Sequence, residues 1–344
     1  MKPEERFLRA VKKQDVDKTP VWIMRQAGRY LEEYRRLRER YSFAELCKNP
    51  ELATTVSLLP LKYAELDAII VFGDILLCLE PLGISVSYNE DGKPHVEGSI
   101  EKLSVKWEPD LLKEAEEKLS FVGETIKNIR SEKKEYAIIG FSGAPFTLLS
   151  YVIEKGKTGD FSKTRALAFK EKEKWHQAMK NLSELIIRYL IVQAKSGADV
   201  VQIFDSWAGW LSPYEYREFV RNHMARIIEE VEKFVPVIHF STGSAGILEE
   251  IASAGGTVIG VDWRISIDEA WRRVGYEKGI QGNLDPAILL TNREEIKKGV
   301  IEILKRVGNR NGHIFNLGHG ILPDTPVENM QFLVELVHSL SERR

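Results

Sequence analysis

The feature that most narrows what this chain can become is its repeated alternation of short apolar runs with long amphipathic stretches. Eight such runs stand out, at residues 20–24, 68–72, 136–141, 200–204, 236–240, 257–261, 279–282 and 313–317. Most are β-branched or aromatic and apolar without alternation, the pattern of strands covered on both faces. Between them apolar residues recur at helical spacing. The pattern predicts one helix over 109–130, one long helix or two consecutive ones over 162–196, and further helices over 213–235, 291–307 and 326–341. Pro109, Pro213, Pro286 and Pro326 fall where a first helical turn tolerates proline. Eight βα units without an intervening linker predict an α/β fold. The expected form is a single (β/α)8 TIM barrel over residues 1–344 rather than an open doubly wound sheet. The segment ISVSYNEDGKPHVEG breaks the alternation, and its Asp91–Gly92 pair predicts an inserted β-hairpin after the second strand.

Charge narrows the choice of partner. Lys and Arg number 49 against 51 Asp and Glu, so nothing in the bulk balance points to nucleic acid. A polyanionic ligand would have to be drawn by a local cluster of arginines and helix N-termini. The longest apolar run, AIIVFGDILLCL, is broken by Asp74 and too short to cross a bilayer, which predicts a soluble protein with no membrane partner. The two cysteines, Cys47 and Cys78, make no disulfide framework and fit a reducing cytoplasm. The N-terminal residues are charged throughout, with no apolar signal region.

In a parallel α/β barrel the reactive side chains gather just past the strands, at one rim. The stretches following the eight runs are RQAGRY, GDILL, SGAPFTLLSY, DSWAG, STGS, DWR, NLDP and GHGILPDTP, rich in small, charged and hydrogen-bonding residues. Arg25 and Arg29, with Gly28 between, share a face if the segment is helical. If it is a glycine-bent loop, they sit beside freed backbone N–H groups. Either way two guanidinium forks could clamp carboxylates, unless they are simply surface arginines paired with Glu32 and Glu33. Asp74 has no basic residue within ten positions, so it is either the cap of a short helix or a functional charge. Burial would raise its pKa unless a cation or several donors face it. The glycine-rich GFSGAPFTLLSY leads into a helix at Pro145, and Tyr151, one to two turns along, either offers its hydroxyl to the rim or packs in the core. Ser206 follows Asp205 without a GxSxG elbow, which makes it a hydrogen-bond donor and not a nucleophile. His319, between Gly318 and Gly320, is the histidine best placed to meet a ligand. The other six read as surface or structural, His239 as a core residue inside a strand. No metal-ligand spacing and no nucleotide-cofactor motif occurs, so neither metal nor cofactor is expected.

In order along the chain, VWIMRQAGRY, GFSGAPFTLLSY, QIFDSWAG, GVDW, QGNLDP and NLGHGILPDTP resemble the uroporphyrinogen decarboxylase family, from about residue 4 to the C-terminus. The resemblance implies a cofactor-independent barrel enzyme, a homodimer with facing clefts, that decarboxylates the acetate side chains of uroporphyrinogen III to methyl groups in haem biosynthesis. It implies that Arg25, Gln26, Ala27, Gly28 and Arg29 form a substrate-binding segment and that Asp74 is the central acid. Tyr151, Ser206 and His319 would contact the substrate, and Phe43 would line the site. Arg25 is also the candidate for relaying a proton, with water or a substrate carboxylic acid as alternative sources. Two positions depart from the family pattern: Glu32 stands where a proline is usual, and Gly73 where a serine is usual beside the acid. The alternative is a corrinoid- or thiol-dependent methyltransferase on a related barrel. Zinc-dependent relatives of that kind carry His-x-Cys at the fifth strand, where this chain has His239, Phe240 and Ser241.

Overall fold

A computed structural model describes residues 1–89 and 92–343. Its strands are β1 (Ala68–Ile70), β2 (Ser85–Tyr88), β3 (Pro94–Glu97), β4 (Ala137–Gly143), β5 (Val200–Asp205), β6 (Val237–Ser241), β7 (Val258–Gly260), β8 (Gly279–Leu284) and β9 (His313–Leu317). Seven pair in parallel in the order β1-β4-β5-β6-β7-β8-β9, and nearly every residue in them is buried. With helices packed outside the curled sheet, this is a TIM-barrel-like α/β fold. Strands β2 and β3 form a separate antiparallel pair. The expected turn at Asp91–Gly92 falls partly outside the described residues.

The first expected strand, at 20–24, is reduced to a single parallel bridge between Val21 and Phe315. The reason lies in its hydrogen bonds. Phe315 N–H donates to the Pro20 carbonyl (2.9 Å), and Asp67 N–H donates to the Val21 carbonyl (2.8 Å), so the segment runs between β9 and β1. Its own N–H groups, however, go largely to side chains. Val21 N–H meets the Asp67 carboxylate, Ile23 N–H the Gln26 amide and Met24 N–H the Asn316 amide. Side-chain acceptors have replaced the ladder.

Two helices expected to be continuous are broken. The 109–130 stretch forms Pro109–Lys118 and Ser120–Glu132, with a break at Leu119. The 213–235 stretch forms Pro213–Phe219 and Arg221–Val231, where Val220 leaves helical geometry at φ −129°. The 162–196 stretch takes the two-helix form, Ser162–Lys170 and Lys172–Lys195. In each case the apolar period continues across the joint, so the pattern carries no mark of the break.

The core lies in two layers. Inside the sheet, Trp22, Ala68, Ile139, Val200, Ile238, Phe240 and Ile314 pack together, and helix Pro3–Val11 closes the bottom with Phe7 and Val11. A larger layer joins the outer strand faces to the helices. The bottom is also tied by charge. Arg6 bonds Asp17 and Asp67 (2.6 Å each), and Asp67 also receives Val21 N–H and lies 2.8 Å from His338 Nε2. A cavity of about 540 Å³ lies at this end, beside Lys18, Tyr63, Glu65 and His338. It is on the face opposite the strand C-termini, away from the side chains below. Among the described residues no helix is long and apolar enough to cross a membrane.

Candidate active site

At the C-terminal ends of the strands, residues far apart in sequence converge on Asp74. The carboxylate follows β1, and its Oδ1 accepts the Leu76 N–H at 2.7 Å as the chain turns into the 3-10 helix Leu77–Leu82. The bond closes a turn just ahead of the helix, whose N-cap is Leu76 with no side-chain cap, and the carboxylate is also desolvated. Burial raises its pKa above the ordinary carboxylate value, opposed by the Leu76 N–H, the Tyr88 hydroxyl and the charge of Arg25. By surface area the residue is only half-buried.

Arg25 is exposed and sits in a turn, not a helix. Its φ of 60° is uncommon for a residue with a side chain and costs roughly 1 kcal/mol or more. The turn throws the guanidinium stem across Gly320, where any Cβ would lie 2.3 Å from Arg25 Cδ. Gly320 is thus a glycine because Arg25 passes over it. Gln26 is fully buried, and its amide spans Ile23 N–H and the Ala68 carbonyl, pinning the loop to β1. Ala27 packs on the core edge. A Cβ on Gly28 would press the Arg25 carbonyl at 2.9 Å. Arg29 is exposed, and its guanidinium lies against Gly92 at the hairpin. The two neighbouring acids pair elsewhere. Glu32 pairs with Arg36, and Glu33 accepts from Tyr63. Glu32 simply begins helix Glu32–Arg40, the position where its departure from proline matters.

Tyr151 lies on helix Pro145–Ile153, half-buried, with its ring 5.8 Å from that of Trp207. Burial, reinforced by the Asp74 charge and opposed by Arg25, pushes its phenol up to about 12. His319 follows β9. Burial, helped by the positive charges of Arg25 and Arg264, lowers it to about 4, so the ring is neutral near pH 7. Phe43 stands edge-on to Tyr88 (4.8 Å) and to Phe72 (5.8 Å). Ser206 follows β5, and its carbonyl accepts from Thr242 Oγ1 at 2.5 Å. Arg25 thus acts electrostatically on Asp74, Tyr151 and His319, and Phe43 packs on Tyr88, which acts on Asp74.

Three participants escaped the sequence reading. Asp262 and Arg264, from the DWR stretch after β7, pair with each other beside His319. Asp262 also accepts Gly243 N–H at 2.7 Å. A charged doublet at a strand exit was the available signal. The third is Tyr88, at the end of β2, where nothing local marks it. His239 departs from the expectation of a satisfied core residue. It is fully buried and lowered to about 4 by burial, and neither ring nitrogen finds an aligned partner. Nearby, Ser241 Oγ donates to Ser244 Oγ at 2.7 Å, and both cysteines are buried on other elements.

Comparison with known proteins agrees with this arrangement. The family profile described as uroporphyrinogen decarboxylase (URO-D) matches residues 2–340. A uroporphyrinogen decarboxylase of Carboxydothermus hydrogenoformans is 47% identical over 337 residues, covering 97% of this chain and 96% of the relative. One from Sorangium cellulosum is 46% identical, covering 98% and 96%, and one from Thermus thermophilus 44%, covering 97% and 98%. Among solved structures, a methyltransferase from Methanosarcina mazei superposes with a TM-score of 0.81 at 23% identity, over 99% of each chain. A B12-independent methionine synthase from Shewanella sp. W3-18-1 gives 0.56 at 11%, over 85% and 88%. At these identities the structural likeness bears on the fold alone.

Proposed function

Because the chain belongs to the uroporphyrinogen decarboxylase family, we propose that Asp74 carries the decarboxylation of uroporphyrinogen III to coproporphyrinogen III. It would do so by stabilising a protonated pyrrole at the strand rim. The acetate side chains leave their carboxyl groups as CO2 and become methyl groups. The electrons of the breaking C–CO2 bond need a sink, and a pyrrole protonated at its α-carbon provides one. The bond collapses into the ring cation, the exocyclic CH2 takes a proton to become CH3, and the α-carbon returns the first proton.

The observation that carries this reading is a desolvated carboxylate facing an arginine at the rim. A charge pair at roughly 4 Å with an effective dielectric near 20 interacts by about 4 kcal/mol, and the same carboxylate can accept from pyrrole N–H groups. Arg25 and Arg29 take substrate carboxylates. The pKa of arginine argues against Arg25 as a simple general acid, which leaves relay through Arg25, water or a substrate acid as proton sources. Gln26, Ala27 and Gly28 shape the loop that presents both arginines. Phe43, Tyr151, Ser206 and neutral His319 line the ring's surroundings.

On the same reading, segment 20–23 completes the ring as its eighth stave, β2 and β3 are an inserted hairpin over the rim, and the protein acts as a cytoplasmic homodimer. The buried thiols Cys47 and Cys78 suit a reducing compartment. The test is anaerobic turnover of uroporphyrinogen by Asp74→Asn, nearly the same in shape. The expected loss is about 10²–10³ in rate with unchanged thermal stability. Full turnover by that variant would remove Asp74 from the chemistry.

A further inference from the structure

The hairpin delivers a side chain to Asp74. Along β2, Ser85 and Ser87 are exposed while Val86 and Tyr88 turn inward. Tyr88 is the last residue of the strand, paired with Pro94. Its ring is wedged by the edge of Phe43, which in turn stands on Phe72, so it is held from the side of helix Phe43–Lys48. The hydroxyl is shut off from solvent and has no aligned hydrogen-bond partner. A buried hydroxyl in that condition costs roughly 1–3 kcal/mol, so it is expected to have a use. The polar group it faces is the Asp74 carboxylate, and the two bias each other's protonation. The contact is close but off ideal geometry, as catalytic hydrogen bonds often are until the reacting group arrives. Asp74 has few other donors: its one aligned protein donor among the described residues is Leu76 N–H, and the adjacent Gly73 has no hydroxyl to offer.

We propose that Tyr88 is a positioning residue for the decarboxylation, its phenol donating to Asp74 so that the carboxylate stays ionised and aimed at the pyrrole. The proposal rests on Asp74 being the central acid. The other groups acting on Asp74 or feeling its charge are Arg25, Glu80, Tyr151, Tyr189, Cys47 and Cys78. Arg25 favours the ionised form and Glu80 opposes it. Burial pushes Tyr151 and Cys78 up to about 12 and holds Tyr189 and Cys47 well above their ordinary values, so those four stay neutral near pH 7. Removing the Tyr88 hydroxyl therefore leaves desolvation less opposed, and the Asp74 carboxyl must titrate at higher pH.

The experiment is Tyr88→Phe, which keeps the ring and its contact with Phe43. Carbon-13 NMR of Asp-labelled protein, with Asp74→Asn to assign the signal, reads the titration without relying on turnover. The expected result is an upward shift of about one pH unit, tenfold in proton affinity. The acid limb of kcat should move by the same amount, and kcat on the alkaline side should recover to the wild-type level. A carboxyl that titrates at the wild-type pH, or a uniform loss of kcat at every pH, overturns the proposal. If the titration moves while Asp74→Asn still turns over, the hydrogen bond stands and the role of Asp74 in the reaction falls.

Discussion

Gly320→Ala is the sharpest test of the arginine's place, because the structure says where the added methyl would go. Gly320 has no positive φ, so alanine brings no backbone penalty there. The three atoms nearest its Cβ would all belong to Arg25: Cδ at 2.3 Å, Cγ at 2.7 Å and Nε at 2.9 Å. The closest obstruction is thus one flexible side chain, and it must retreat by about 1 Å to reach ordinary contact, enough to misalign a bidentate clamp. A hydrogen bond to a charged group contributes about 1.5–3 kcal/mol, so kcat/KM for uroporphyrinogen should fall roughly 10- to 100-fold. Thermal stability should change by less than about 1 kcal/mol. The assay is anaerobic steady-state turnover alongside Gly159→Ala, a control position where a Cβ meets nothing within 4 Å. Combined with Arg25→Ala, the glycine substitution should add no further loss, since both act through one side chain. Unchanged kcat/KM in Gly320→Ala, or full additivity with Arg25→Ala, would refute the placement of Arg25 on the substrate.

Other outcomes follow from the charges. Asp67→Asn leaves buried Arg6 with one of its two acidic partners, so urea unfolding should show a loss of about 3 kcal/mol while KM holds, because the network lies at the opposite end of the strands. The C2 proton of His319 should not titrate by NMR between about pH 5 and 8; a midpoint near 6.5 would show the ring exposed. His223, His239, His313 and His319 are each lowered from 6.5 to about 4. Their contribution to stability is present above pH 6.5 and is lost as pH falls through 4, since the unfolded chain binds those protons first. The thermal midpoint should decline over that window, and a midpoint flat across it would contradict the burial of these rings.

The sequence was most informative where one physical demand acts on a run of residues. Strands β4 to β9 are legible because burial on both faces leaves short, mainly apolar runs without alternation, even where buried polar residues such as Gln202, His239 and Asn316 interrupt them. The segment at 20–24 met the same demand, yet its hydrogen bonds go to Asp67, Gln26 and Asn316, and which distant side chain will accept an N–H is not written locally. The helix breaks at Leu119 and Val220 are hidden for a related reason. The apolar stripe is set by the layer beneath, and a change of axis at a single residue leaves its period intact.

The site divides in the same way. Arg25, Asp74 and His319 could be picked out because a charge or an imidazole beside glycine at a strand exit is poorly explained by packing alone. Tyr88 could not, because in ISVSYNEDGK it is an ordinary aromatic in an alternating hairpin strand. It becomes chemically interesting only when the fold leaves its hydroxyl buried and acting on Asp74, without an aligned partner. Gly73 sharpens the point. A serine there would meet the Phe141 ring at 3.4 Å, a tight but ordinary contact, so packing does not forbid it. The hydroxyl that acts on Asp74 is that of Tyr88, brought there by the fold and not by the neighbouring residue. Such a pairing can be recognised only in three dimensions, since the residues around neither partner mark the other.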